Sequence, residues 1–400
     1  METRRRSERG SSALDYIGIL LAVAGVVAAV GYVLAPRITP TTATAWCMVT
    51  GQGSADSCGR AVPAALPDAV PDLPSGPWYA DDTLTPEQRA TKGRYVGLGD
   101  SYSSGEGGSE YEPGTDDDNQ WKKWWDQHGL WPGDVHQNMC HRSTGAYSQQ
   151  VSGTFTFKGG FGFHACSGAV IDDFYEPNDR VHHVEHPNRQ NEGEAPQLDA
   201  LDEHTSLVTF SVGGNDVGFA EVLTECVTAT AVSFYDGVSG APPTSCRGSQ
   251  AARDAAGRIP LTQARLTQLL QDIRERAPNA RVVVVGYPRF FPADPSSTTS
   301  MIQPGDQRWI NEQVGVLDDA LRQAVLDAGG ADAGFEFVDP RDAFEGCEIG
   351  TATSCMNGLR VGFGGNFDSG KPVSNGSFHP NDEGHRRIAA LVAEQIRNGR

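Results

Sequence analysis

Four positions in this sequence have the types and settings to do chemistry together: Ser101, Gly168, Asn215 and His379. Ser101 ends the run RYVGLGDS within Arg94–Gly108. There a short alternating apolar stretch gives way to small residues, so a strand stops and a tight turn exposes one hydroxyl. A serine hydroxyl becomes a nucleophile when a base lies within hydrogen-bond reach, and a histidine serves as that base. His379, in SFHPN, is the candidate. Asn215, in GGND, follows two glycines that let the backbone turn sharply, so its side-chain NH₂ can be aimed into the same space. Gly168, in ACSG, marks a second glycine turn.

These four need a frame, and the hydrophobic pattern supplies one. Tyr95–Leu98 reads as the first core strand, with Ser101 just past its C-terminal end, where open α/β sheets put their chemistry. A short helix led by Pro86 precedes it. A helix from about Ser143, a strand over Phe155–Phe163 and a helix over Ala169–Phe174 follow. A short helix over Ala195–Leu201 leads to the buried strand Ser206–Val212, which ends in GGND, where Asp216 can fix the loop. Phe219–Ile259 reads as an insertion at the mouth of the site. The apolar spacing of Leu261–Ala277 predicts a crossover helix. Arg281–Pro288 (RVVVVGYP) predicts a parallel strand covered on both faces. Ile310–Ala328, Phe335–Asp339 and Gly384–Ile396 complete the alternation as helix, strand and helix. Alternating strands and helices argue a three-layer α/β/α sandwich with a mostly parallel sheet.

The chain has 400 residues, with 32 Lys and Arg against 51 Asp and Glu, a formal charge of -19. That balance excludes a nucleic-acid binder, whose phosphate contacts need clustered cations. The 8 cysteines contain no CxxC pair, so disulfides in an oxidising compartment are a better reading than zinc. Sequence alone leaves about 105 pairings of eight cysteines open. Proximity favours Cys47–Cys58, Cys226–Cys246 and Cys347–Cys355, leaving Cys140–Cys166.

The N-terminus has its own logic. Arg4, Arg5, Arg6 and Arg9 precede an uncharged apolar run, Ile17–Ala35, long enough to span a bilayer. The arginines predict a cytoplasmic N-terminus with the rest exported, and Ala35-Pro36 is a poor cleavage context. The expectation is a single-pass membrane protein with its catalytic domain outside, or a form released by cleavage. RGSSALDYIGILL also resembles a Flp-type prepilin leader, with cleavage after Gly10 and Asp15-Tyr16 at the required spacing. The chain divides into a leader and transmembrane helix (1–35), a Pro/Ala/Thr/Ser-rich linker (36–92) and a catalytic domain (93–400).

Three further clusters have blander readings. Trp121, Trp124, Trp125 and Trp131 form either a rim or lid over sugar or acyl chain, or a loop pinned to the body. Asp116, Asp117 and Asp118 lack the spacing of a calcium loop and read as a solvated turn. His182, His183 and His186 in VHHVEHP are not an HExxH motif and read as a solvated loop.

In order, Gly99-Asp100-Ser101, Gly168, Gly213-Gly214-Asn215-Asp216 and His379-Pro380 resemble the blocks of the SGNH (GDSL-type) serine esterases and lipases. CHRS and CSGA are similar to their secreted actinobacterial branch. The resemblance implies a flavodoxin-like fold, an ester substrate (lipid or acylated glycan), a monomeric catalytic domain, and neither cofactor nor metal. It implies Ser101 as nucleophile, His379 as base, and the Ser101 and Gly168 amides with the Asn215 side chain as oxyanion hole. The family's usual Asp, three residues before the histidine, is here Gly376. The carbonyl of Gly376 or Ser377 would then orient the ring, with Asp368 or Asp382 as the alternative. Lipid-ester hydrolysis leads, with removal of O-acetyl groups from glycan and a noncatalytic binding module as competing readings.

Overall fold

The computed structural model describes residues 76–112, 114–115, 138–178, 194–239, 245–361 and 373–399, all within the compact unit Pro74–Arg400. Five strands form one sheet: β1 (Arg94–Gly97), β2 (Phe161–Phe163), β3 (Thr205–Phe210), β4 (Arg281–Val285) and β5 (Phe335–Val338). Their order is β2-β1-β3-β4-β5, and every pairing is parallel. A parallel sheet is stable only with both faces covered, and every residue of β3 and β4 is buried.

The helices are α1 (Pro86–Thr91), α2 (Ser101–Ser104), α3 (Tyr147–Thr154), α4 (Gly214–Val217), α5 (Phe219–Ser239), α6 (Gln250–Arg276), α7 (Pro304–Asp327) and α8 (Asp382–Asn398). One group packs α8 against α3 and α1, and another packs α6 against α7, α4 and α5. The expected α/β sandwich is therefore present. The chain runs outward from β1 to β2, then returns past β1 to β3. That reversal makes the β1/β3 gap the switch point where such sheets bind ligands.

Several elements differ from their sequence reading. The run Phe155–Phe163 yields strand only at Phe161–Phe163, because a turn at Lys158–Gly160, with Gly160 at φ 75°, interrupts it. Phe155 and Phe157 are buried all the same, Phe157 lying 4.9 Å from Tyr95 between ring centroids. The segment read as an insertion is α5 and the first turns of α6, which carries Pro260 in its interior. Residues 78–92, placed in the linker from composition, are ordered. Trp78 is buried, and α1 starts from a capping box between Thr85 and Gln88.

Away from the site, one buried ion pair joins four elements. Arg281 on β4 meets Glu336 on β5 in two parallel bonds of 2.8 and 2.9 Å. It also donates to the carbonyls of Pro86, Gln395 and Ile396, so α1 and the C-terminal end of α8 are fastened to the sheet. Of these, the Ile396 carbonyl lies in the last turn of α8, where a helix leaves its carbonyls without an internal partner.

The membrane anchor needs correction. Among the described residues no helix is long and apolar enough to cross a membrane. The long helices α6 and α7 carry charged residues throughout, as two-faced helices on a sheet must. The apolar run 17–35 and the leader residues Gly10, Asp15 and Tyr16 lie outside the described residues. The expected transmembrane helix, the membrane partner it implied and the single-pass location therefore find no support among the described residues.

Candidate active site

The site begins where β1 stops. Gly99 has φ 116°, and a Cβ there would sit 2.5 Å from the Ser211 carbonyl and 2.6 Å from Ser103 Oγ, so only glycine fits. Buried Gln197 clamps this peptide from both sides, accepting from Gly99 N at 2.6 Å and donating to Gly99 O at 2.9 Å. Asp100 caps α2 by accepting from Tyr102 N at 3.0 Å. Tyr287 donates its hydroxyl to the other Asp100 oxygen at 2.6 Å and accepts from Gly214 N at 3.0 Å. The nucleophile turn and the turn after β3 are thereby tied together. Burial pushes the Asp100 carboxyl up to about 7, although the Tyr287 bond favours its charged form. Ser101 opens α2 and is 7% exposed.

His379 approaches from the loop before α8. Its Nε2 lies 2.8 Å from Ser101 Oγ and its Nδ1 lies 2.9 Å from Ser377 O. A carbonyl can only accept, so Nδ1 carries the ring proton and Nε2 is left to accept from the Ser101 hydroxyl. Of the two carbonyls named from sequence, Ser377 makes the contact. Asp382 points elsewhere, accepting from Ser109 N at 3.0 Å, and Asp368 lies outside the described residues. Phe378 holds the left-handed conformation (φ 61°) just before the histidine. Tyr102 braces it by donating to Phe378 O at 2.8 Å, its ring centroid 5.1 Å from that of His379. Burial lowers the proton affinity of His379, while the nearby Glu106 carboxylate and the Ser377 carbonyl pull the other way.

The second and third turns face these two residues. Gly168 has φ 79° in the turn after β2. A disulfide joins Cys140 and Cys166, and Ser167 N donates to Cys140 O at 3.0 Å, so this turn is fixed on both strands of its loop. Asn215 donates one amide hydrogen to Ala169 O at 3.0 Å, leaving its second for the pocket. Asp216 accepts from Ile171 N at 3.2 Å and faces Arg265 at 3.6 Å. Ser101, Gly168, Asn215 and His379 all line one pocket of about 650 Å³. Its remaining wall is largely apolar, including Phe219, Leu223, Val227, Phe290, Leu317 and Phe378. A volume of that order suits a small organic ligand or a fatty chain.

The structure adds residues that the sequence reading did not single out. Glu106, His141, Ser167 and Tyr287 come from distant segments and meet around the turns. No local spacing announces such contacts. Disulfides also join Cys226 to Cys246 and Cys347 to Cys355. Cys47 and Cys58 lie outside the described residues, as do the four tryptophans from Trp121 to Trp131, Asp116–Asp118 and the histidines His182, His183 and His186.

Residues 98–387 match the GDSL-like Lipase/Acylhydrolase family. "Lipase 2" of Streptomyces coelicolor is 31% identical over 334 residues, covering 82% of this chain and 95% of the relative. An "Esterase" of Streptomyces scabiei is 31% identical over 260 residues, 58% of this chain and 69% of its own. The crystal structure of an extracellular lipase from Streptomyces rimosus superposes with a TM-score of 0.52 at 25% identity, covering 76% of this chain and 100% of that one. Nothing in these likenesses supports a prepilin-type leader; the family match begins at residue 98.

Proposed function

The chain belongs to the GDSL-like lipase/acylhydrolase family and is a serine-type carboxylic-ester hydrolase; from that premise we propose that Ser101 and His379 carry the reaction and that its preferred substrates bear a long acyl chain. His379 Nε2 takes the Ser101 proton as Oγ attacks the ester carbonyl, then gives it to the departing alcohol. The Ser101 and Gly168 amides and the free Asn215 N–H receive the charge of the tetrahedral intermediate. Water, activated by the same imidazole, then releases the acid from Ser101. The Ser377 carbonyl keeps the ring in the productive tautomer, in the place where a triad has a carboxylate, and stabilises the imidazolium less than a carboxylate does. The catalytic unit corresponds to 93–400 with the segment from Trp78 packed on it. The disulfides fit an exported, oxidising setting.

The apolar wall from Phe219 to Phe378 carries the substrate reading. Each methylene it buries contributes about 0.8 kcal/mol, roughly fourfold in rate constant, when that burial is realised in the transition state. The test is kcat/KM across an acyl series from acetyl to palmitoyl esters, beside Ser101→Ala. A Ser101-dependent rate that climbs with chain length until the pocket is full supports the reading. Activity confined to acetyl esters overturns the long-chain preference and favours glycan deacetylation. The noncatalytic binding module does not survive the family assignment.

A further inference from the structure

Glu106 belongs to none of the four blocks, yet it is 0% exposed and sits between two of them. Its Oε2 accepts from His141 Nδ1 at 2.5 Å and from Ser167 Oγ at 2.8 Å, and its Oε1 accepts from Tyr111 OH at 3.1 Å. These donors come from three separate segments. Ser167 immediately precedes Gly168, and His141 follows Cys140 of the disulfide. The next residue, Gly107, touches the histidine loop: a Cβ there would meet Pro380 O at 2.6 Å and His379 Cβ at 3.0 Å. Asn357 Nδ2 donates to Gly107 O at 2.9 Å and holds that approach.

We infer that Glu106 is a positioning residue for the proposed Ser101–His379 reaction: its buried carboxylate holds the Gly168 turn through Ser167 and supplies, from a distance, the negative charge that the missing triad carboxylate would give His379. The inference rests on the reading of Ser101 and His379 given above. Burial alone would keep Glu106 neutral. The His141 charge and hydrogen bond, with His379 and the Ser167 hydroxyl, outweigh it and hold the carboxyl at about 2. The charged carboxylate is therefore the favoured form while His141 carries its proton. Around His379 the titratable groups are Glu106 from the loop after α2, His141 from the disulfide loop, His385 from α8 and Tyr102 from α2. Glu106 raises the proton affinity of His379, and its effect exceeds the opposing one of His141. Burial pushes His385 down to about 4, so it stays uncharged beside them at neutral pH. As the imidazolium forms in the transition state, it finds the Glu106 charge already in place.

The test uses the full chain and a soluble ester, with kcat/KM measured against pH for wild type, Ser101→Ala, Glu106→Gln, Glu106→Asp and Ser167→Ala. Glu106→Gln is expected to lower the plateau by up to about a hundredfold, the scale of a misplaced reacting group. It also moves the acid limb to lower pH, because the neutral side chain no longer favours the protonated imidazole. Ser167→Ala keeps the charge and loses one tether, so its plateau falls while its limb stays. Glu106→Asp restores the limb. A Glu106→Gln enzyme with the wild-type plateau and limb overturns the inference, and so does a fallen plateau with an unmoved limb, which is what a packing role alone produces. Should Glu106→Gln fail to fold, Ser167→Ala decides, and its wild-type plateau overturns the tether. A Ser101→Ala enzyme as fast as wild type is a separate result, against the mechanism itself.

Discussion

Removing the bridge between Cys140 and Cys166 tests stability and chemistry in one variant. The perturbation is Cys140→Ala with Cys166→Ala. The bridge spans a sequence separation of 26. Loop-closure entropy then gives about 3.5 kcal/mol of stabilisation through the unfolded chain. For a unit the size of Pro74–Arg400, that is a fall in Tm of about 5 °C. The second effect is local. Cys140 O accepts from Ser167 N, and Cys166 N donates to Gly99 O at 2.9 Å, so the bridge connects the nucleophile turn to the Gly168 turn. Thermal unfolding followed by circular dichroism reads the first effect. The kcat/KM for a soluble ester, measured well below both transitions, reads the second. Both are expected to fall. A lowered Tm with wild-type kcat/KM would refute the claim that the bridge positions Gly168. An unchanged Tm would refute the entropy estimate.

Three further predictions concern single side chains. Asp382→Asn leaves kcat/KM near wild type in a steady-state assay, because Asp382 serves Ser109 N and not the imidazole; a loss of several orders of magnitude would make it the third triad member after all. Arg281→Met strands the buried Glu336 charge and costs about 3–5 kcal/mol in urea unfolding, with little effect on the kcat of the protein that remains folded. Asp100→Asn exposes a pH linkage. The folded Asp100 carboxyl keeps its proton to about 7 against an ordinary value of 3.8, so the folded state binds more protons in that window and stability falls as pH rises through it. The Tm difference in favour of Asp100→Asn should widen from about pH 4 to about pH 7 and then level; a constant difference contradicts it.

Much of the frame was legible because parallel strands read as continuous apolar runs. RVVVV and SLVTF are buried at every position, and each ends near a glycine turn. Ser101, Gly168 and Asn215 were legible for a related reason: the turns that present them need glycine at Gly99, Gly168 and Gly213, and glycine marks them in the sequence. The shortened β2 was not legible, since Phe155 and Phe157 are as buried as a strand residue would be and only the Lys158–Gly160 turn removes them from the sheet. Composition also misled at Trp78, where a proline-rich stretch hid a side chain packed in the body. The choice of Ser377 over Gly376 depends on the path of the Phe378 backbone through positive φ. Glu106 was invisible because two of its partners, His141 and Ser167, lie 35 and 61 residues away.

The central claim is that Ser101 is the nucleophile and His379 its base. The most direct measurement is the rate of labelling by an activated long-chain phosphonate ester, with the modified residue mapped by mass spectrometry. Wild type should take up one adduct, on Ser101. Ser101→Ala should take up none, and His379→Ala should react far more slowly at the same serine. An adduct on another residue, or labelling of Ser101 at an undiminished rate without His379, would contradict the account.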